Sequence, residues 1–346
     1  LGVSVAALCA YFTLWPVSID PVAWQPPGAR PSTGALASNE DLRAAERLAE
    51  GRVEGPEDVA VDAQGRVYVG VHDGRIEILA RDDSSLTTLA ETGGRPLGLA
   101  WAPSGDLLVA DSIAGLLSVT RQGAVTVLST ESEGVPFGFT DDVDVAGDGR
   151  VYFSDASDKF GEGHHLDDLI EGRPHGRLLR YDPTAKTTET LLDGLYFANG
   201  VAVAADDSFV LVNETGRFRV MRYWLTGPQA GTSEPFCDEL PGYPDGVSRS
   251  PRGTFWVALY TRRNPTADAL APHPWLRKVL WRLPAAFLPK PEPYGFVVEL
   301  GADGEILRSL QDPHGDRAAF VTSVEEVDGT LWLGSLMQTS VARLPL

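Results

Sequence analysis

Apolar residues along this chain come in short β-branched runs punctuated by Gly, Asp and Pro, and the runs recur in a fixed phase. The stretch "GPEDVAVDAQGRVYVGV" from Gly55 sets the pattern. Glu57 opens an apolar strand, Gly65 follows eight positions later as a turn residue, and a second strand, "RVYVGV", comes next. "RPLGLAWAPSGDLLVAD" repeats this with Leu97 and Gly105, and "FTDDVDVAGDGRVYFSD" with Asp141 and Gly149. "FANGVAVAADDSFVLVNE" places Asn199 in the slot and Asp207 at the turn, while "YPDGVSRSPRGTFWVAL" has Asp245 and Gly253. The last copy, "VTSVEEVDGTLWLGS", is one residue shorter and opens on Thr322. A third strand, often introduced by "GR", follows each pair.

Six copies of a short-stranded unit, spaced by about 40–46 residues where uninterrupted, predict an all-β fold: a six-bladed β-propeller. One blade cannot bury both faces alone, so the units must stack around an axis. The final strand, "SVARLPL", leaves the sixth blade one strand short, and "AAERLAEG" (44–51) is the segment able to complete it. Two gaps exceed the period. One holds "DKFGEGHHLDDLIEGRPH" between the third and fourth slots. The other, between the fifth and sixth, includes Trp275–Leu283, which reads as a short amphipathic helix serving as a lid or as surface packing.

Ahead of the repeats, residues 1–19 carry no charge and are long enough for a membrane-spanning helix, with Trp15 placed as an interfacial aromatic. The reading is an N-terminal membrane anchor, with a cleaved signal peptide as the competing one. The expected organisation is therefore anchor 1–19, a Pro/Ala/Ser-rich linker 20–43 and a propeller 44–346, facing the extracytoplasmic side.

Charge narrows the partners. The 346 residues include 29 Lys and Arg against 48 Asp and Glu, a formal net charge of −19, which excludes nucleic acid as a partner. Only Cys9 and Cys237 are present, so the repeat region has no internal disulfide. No Ser-His-Asp order, phosphate loop or HExxH motif appears.

In a propeller each slot opens the strand nearest the axis, so Glu57, Leu97, Asp141, Asn199, Asp245 and Thr322 face one space. Five carry side-chain oxygen and none is Cys or His. Carboxylates crowded together repel unless a cation lies between them. Oxygen donors without sulfur or imidazole point to Ca2+ or Mg2+. Any one of these residues alone would be an ordinary turn cap. The signal is their common phase.

The phrases "GPEDVAV", "DDVDVAGDGRVYFSD", "FANGVAV", "RYWLTGPQAG" and "LPGYPDGV" resemble the strictosidine synthase-like family, over about residues 44–346. Within it, the chain is most similar to the adipocyte plasma membrane-associated protein branch. The resemblance implies a six-bladed propeller akin to the gluconolactonase and paraoxonase groups, with Ca2+ held by Glu57, Asn199, Asp245 and Asp141, where relatives usually have Asn. It also implies that strictosidine formation does not carry over, because Thr322 occupies the place of that reaction's catalytic Glu, with Glu325 and Glu326 three and four residues beyond. What remains is a Ca2+-dependent esterase or lactonase with Asp245 as general base or nucleophile, and Thr322, Arg262, His164 and His165 as substrate-binding candidates. A non-catalytic propeller with a structural Ca2+ is the alternative.

Overall fold

A computed structural model describes residues 11, 12, 14–284, 288 and 290–346. Within them the chain forms six four-stranded antiparallel sheets, each taken from consecutive strands except the last. The innermost strands are Val59–Val61, Pro96–Trp101, Thr140–Val145, Ala198–Val203, Gly242–Arg249 and Val321–Val327. The sixth blade takes its outer strand from the other end of the chain: Glu46–Leu48 pairs antiparallel with Val341–Pro345, Glu46 opposite Arg343. The missing strand is thus supplied by the 44–51 segment.

The buried apolar residues fall into six large clusters, each built from two successive blades. In the second blade Leu107 and Val109 pack towards blade one, while Leu108 and Ala110 pack towards blade three. Successive strand residues point to opposite faces, and both faces meet a neighbour. That explains why the second strands read as unbroken apolar runs rather than alternating ones. The turn glycines eight residues after the slots, Gly65, Gly105, Gly149 and Gly253, all adopt φ between 77 and 86°, and Asp207 takes 55° in the same place. An αL residue there closes the tight connection between the first two strands.

Three short helices lie in the inserts at the slot end: α1 (His165–Glu171), α2 (Pro265–Leu270) and α3 (Pro274–Trp281), the last matching the amphipathic stretch read from the sequence. The segment expected to be a linker packs between them. Val22 N–H donates to Glu171 O at 3.3 Å and Trp24 N–H to Ala271 O at 3.3 Å. Buried Arg277 of α3 joins the pieces, donating to Ile170 O at 2.7 Å, Ala271 O at 3.1 Å and Val22 O. Of the expected anchor, residues 1–10 and 13 lie outside the described residues. Among the described residues no helix is long and apolar enough to cross a membrane.

Candidate functional site

Five slots sit at irregularities of the innermost strand. The register between first and second strands shifts across 96–99, 140–143, 198–201, 244–247 and 321–323, and these intervals contain Leu97, Asp141, Asn199, Asp245 and Thr322. A β-bulge turns a side chain that would otherwise face a neighbouring blade. Small residues just after the slots let adjacent strands close in. A Cβ on Gly200 would lie 2.5 Å from Asp245 O, and one on Gly246 would lie 2.5 Å from Thr322 O.

The side chains of Glu57, Asp141 and Asp245 lie within electrostatic reach of one another. Burial lifts Glu57 well above the usual carboxylate range, and the charges of Asp245 and Asp141 add to the shift. Asp141 is raised by burial, then by Asp245 and Asp142. Asp245 is pushed up to about 8 by burial, while the Asn199 amide, hydrogen-bonded to it, pulls the other way. One Asp141 oxygen is buried without a hydrogen-bond partner. The Asp245 backbone is fixed from the fourth blade: Asn213 Nδ2 donates to Asp245 O at 2.5 Å, and Thr215 Oγ1 to Pro244 O at 2.6 Å. Among the described residues no three His, Cys, Asp or Glu side chains close on one metal-sized point.

The other expected site residues separate. Thr322 is buried and spends its hydroxyl on Glu57 O at 2.7 Å, tying blade six to blade one. Burial lowers the pKa of His165, opposed by Glu162, whose charge also acts on Asp141. His164 is turned away, exposed and bonded to Asp167 at 2.8 Å. Arg262 is also away from the ring, exposed and paired with Glu292 at 3.1 Å. Leu97 packs with Phe139, Ala156 and Phe197 instead of facing a ligand.

Several residues escape a slot-based reading. Below the ring runs a cavity of about 290 Å3 bounded by Glu57, Asn199 and Thr322 at one end and Arg249 at the other. Its walls carry Asp58, Asp142, Asp144 and Glu325. Asp58 accepts from Leu99 N at 2.7 Å, Asp142 from Val201 N at 2.7 Å and Asp144 from Val203 N at 2.7 Å. These carboxylates bind the innermost strand of one blade to the next, satisfying backbone donors that face the channel. For Asp58 and Asp142 the signal is an acidic residue directly after the slots Glu57 and Asp141. Above the ring, Arg95 is buried, donates to Gly55 O at 2.8 Å and has Nε and Nη1 unpartnered, within the field of Glu57 and Glu162. Tyr260 lies beside Asp245, its hydroxyl pushed up to about 12 by burial.

Fold and ring together define a six-bladed propeller with an acidic, oxygen-lined axis. Family models for strictosidine synthase and for the strictosidine synthase-like N-terminal region match residues 141–228 and 34–78. The chain is 39% identical to Protein STRICTOSIDINE SYNTHASE-LIKE 10 of Arabidopsis thaliana, covering 82% of this chain and 83% of that protein. It is 36% identical to the human adipocyte plasma membrane-associated protein over 96% of this chain and 84% of that one. The chain belongs to the strictosidine synthase-like family. Its fold is shared with a gluconolactonase of Xanthomonas campestris (TM-score 0.64, 17% identity, 95% and 97% of the two chains covered). It is also shared with regucalcin, a calcium-binding protein of Agrobacterium tumefaciens (TM-score 0.62, 14% identity, 87% and 93% covered).

Proposed function

We propose that this chain is a Ca2+-dependent hydrolase of esters or lactones. The observation carrying the reading is the crowding of three carboxylates, buried Glu57 and Asp141 and half-buried Asp245, around one end of the axis, with an Asp141 oxygen unpaired. Buried like charges of this kind call for a cation, and an all-oxygen donor set suits a hard one. Glu57, Asp141, Asn199 and Asp245 would hold it. When bound, Ca2+ would supply a Lewis acid for the substrate carbonyl. Among proteins of this fold, a gluconolactonase and a calcium-binding protein support both halves of the proposal.

The chain's own groups then have distinct parts. Asp245, held by the Asn199 amide and by Asn213 on its backbone, is the proton acceptor for the attacking water. His165, whose pKa burial lowers and Glu162 raises, would relay a proton at the mouth. No carboxylate takes the role of an amine–aldehyde acid/base at Thr322. Glu326 is committed to Trp256 Nε1 at 2.7 Å and Ser250 at 2.9 Å, and Glu325 lines the channel below.

The decisive experiment offers aryl esters and lactones to purified protein with EDTA and with restored Ca2+. Turnover should require Ca2+, and Asp245→Asn should lower kcat/KM at least ~100-fold while the fold persists. Turnover undiminished in that variant would overturn the site. The tethered Thr322 and apolar Leu97 leave two slots without a free donor, which favours a second reading, a binding propeller with structural Ca2+. Tight Ca2+ binding with no turnover on any substrate would establish that one. Membrane association is part of the proposal too, supported by the uncharged residues 1–19 and by relatives named adipocyte plasma membrane-associated protein.

A further inference from the structure

The two ends of the propeller differ in what they show to solvent. First strands start and second strands end beside the axial ring: Pro96 lies opposite Asp111, and Val321 opposite Ser335. The loops that join second to third strands, the inserts that carry α1–α3 and the N-terminal segment packed on them therefore all lie at the slot end. Of the eleven large apolar side chains that stand exposed among the described residues, eight are on these pieces. Only Val127, Leu307 and Leu346 lie elsewhere. In an ordinary soluble surface single exposed apolar residues are scattered, so their gathering at one end calls for a partner.

The gathering is densest where the N-terminal segment meets α3. Leu14 is 78% exposed, Trp15 61% and Trp275 of α3 65%. Tyr11 Oη donates to Arg282 O at 2.9 Å, and Arg282 Nε donates to Trp15 O at 2.7 Å. The uncharged stretch 1–19 thus runs onto α3, and its aromatic end is fixed beside Trp275. Charge follows the same division. The insert 263–294 carries five Lys and Arg against two Asp and Glu, a local excess of three positive charges in a chain of net −19. Lys290 of that insert is exposed. At the opposite end the turns present exposed Asp82, Asp148, Asp206, Asp303 and Asp328.

We propose that the slot end of the propeller rests on an anionic bilayer surface, with α3 and residues 11–15 at the contact and the axial ring facing the lipid. Trp and Tyr favour the headgroup level, where an apolar ring is buried and its polar atom stays wet. The basic insert meets anionic headgroups, whereas the Asp-bearing turns of the other end would be repelled by them. Continuity with an uncharged stretch of chain makes lipid the occupant here, since that stretch offers no charge or hydrogen-bonding side-chain pattern for a protein partner to read. The orientation rests on the membrane-association reading and is independent of any hydrolytic activity.

The test uses the full chain carrying Cys9→Ser, with either Met337→Cys at the slot end or Leu307→Cys at the other. Both sites are exposed, and the remaining Cys237 is buried and unavailable to a label. Each variant, its fold checked by circular dichroism, is labelled with an environment-sensitive fluorophore. It is then mixed with vesicles of equal parts phosphatidylcholine and phosphatidylserine, with and without brominated acyl chains. The label at 337 should brighten and be quenched by the brominated lipid, and the label at 307 should not respond. Lys290→Glu should weaken the response at 337 by at least about five-fold, the worth of one basic group at an anionic surface. Sedimentation of the protein with the vesicles is measured in parallel. Co-sedimentation with both labels silent, both equally quenched, or only 307 quenched would overturn the orientation and leave membrane association standing. An unchanged response in Lys290→Glu would equally overturn the proposed contact. Absence of co-sedimentation would overturn membrane association and the orientation together.

Discussion

At the scale of single residues, the axial ring behaves as a set of acids that folding holds too close together. Asp141→Asn removes one of them. Its expected result is Ca2+ affinity lower by roughly ten-fold, since cation affinity follows ligand charge, with a higher Tm for the metal-free protein because a buried repulsion is gone. Calorimetric titration and a thermal melt check the two halves. The pH dependence follows in sign. Asp245 titrates near 8 and Asp58 near 6 when folded, both above their ordinary values. The folded state therefore holds more protons than the unfolded one, and stability falls as pH rises from about 4 through 8. Metal-free protein should melt lower at pH 8 than at pH 5.5, and Ca2+ should flatten that slope. A metal-free Tm that climbs over the same interval would contradict the buried-carboxylate picture.

These slots were legible because a repeat turns position into meaning: an Asn ahead of a strand is ambiguous once but not in phase with its counterparts. The phase did not reveal Asp58, Asp142 and Asp144, whose work is to receive backbone N–H groups from the next blade. Nor did residue type distinguish Thr322, which the structure commits to the Glu57 carbonyl, from a free hydroxyl. Arg262 and His164 looked equally available in sequence, and each is claimed by an acidic neighbour on the surface.

At the scale of elements, the informative object is the cover formed by α1, α3 and the N-terminal segment. The Pro/Ala/Ser composition of the N-terminal segment reads as a spacer because its ordering contacts are few and scattered: backbone bonds of Val22 and Trp24, Asp20 paired with Arg173 and Lys278, and the Trp24 ring against Phe218. Arg277 is the joint, with burial lowering its pKa to about 10 and four carbonyls receiving its protons. Arg277→Ala should leave those acceptors unpaired at a cost of ~3 kcal/mol. The measurable consequence is faster protease cleavage and hydrogen exchange over residues 19–24 and 265–281, with the inner strands unaffected. Uniform destabilisation of the whole ring would show instead that the cover is not a separate unit. The bulges belong to this scale as well. The sequence showed which residues open each inner strand, but only the shifted registers explain why those side chains leave the blade plane.

At the scale of the whole molecule, six apolar interfaces close a circle, and the closing strand Glu46–Leu48 comes from the opposite end of the chain. Removing residues 1–48 should open blade six, leave the edge at Val341–Pro345 unpaired and lower Tm, with aggregation on heating. A truncated chain as stable and monomeric as the original would argue that blade six stands without its fourth strand. Architecture was the most legible part of the chain, since a count of strands per unit exposed both the number of blades and the missing partner.

That seam also sets an order of events during synthesis. Glu46 and Arg343 pair across 297 positions, and the Thr322–Glu57 bond crosses the same junction. On a ribosome, the first strand must wait unpaired while every other blade emerges, and contacts so distant in sequence form slowly. The polar ring at the axis is therefore assembled last. A nascent chain stalled before residue 341 would hold all three ring acids, Glu57, Asp141 and Asp245, yet lack the strand that pairs with Glu46–Leu48 and closes the circle.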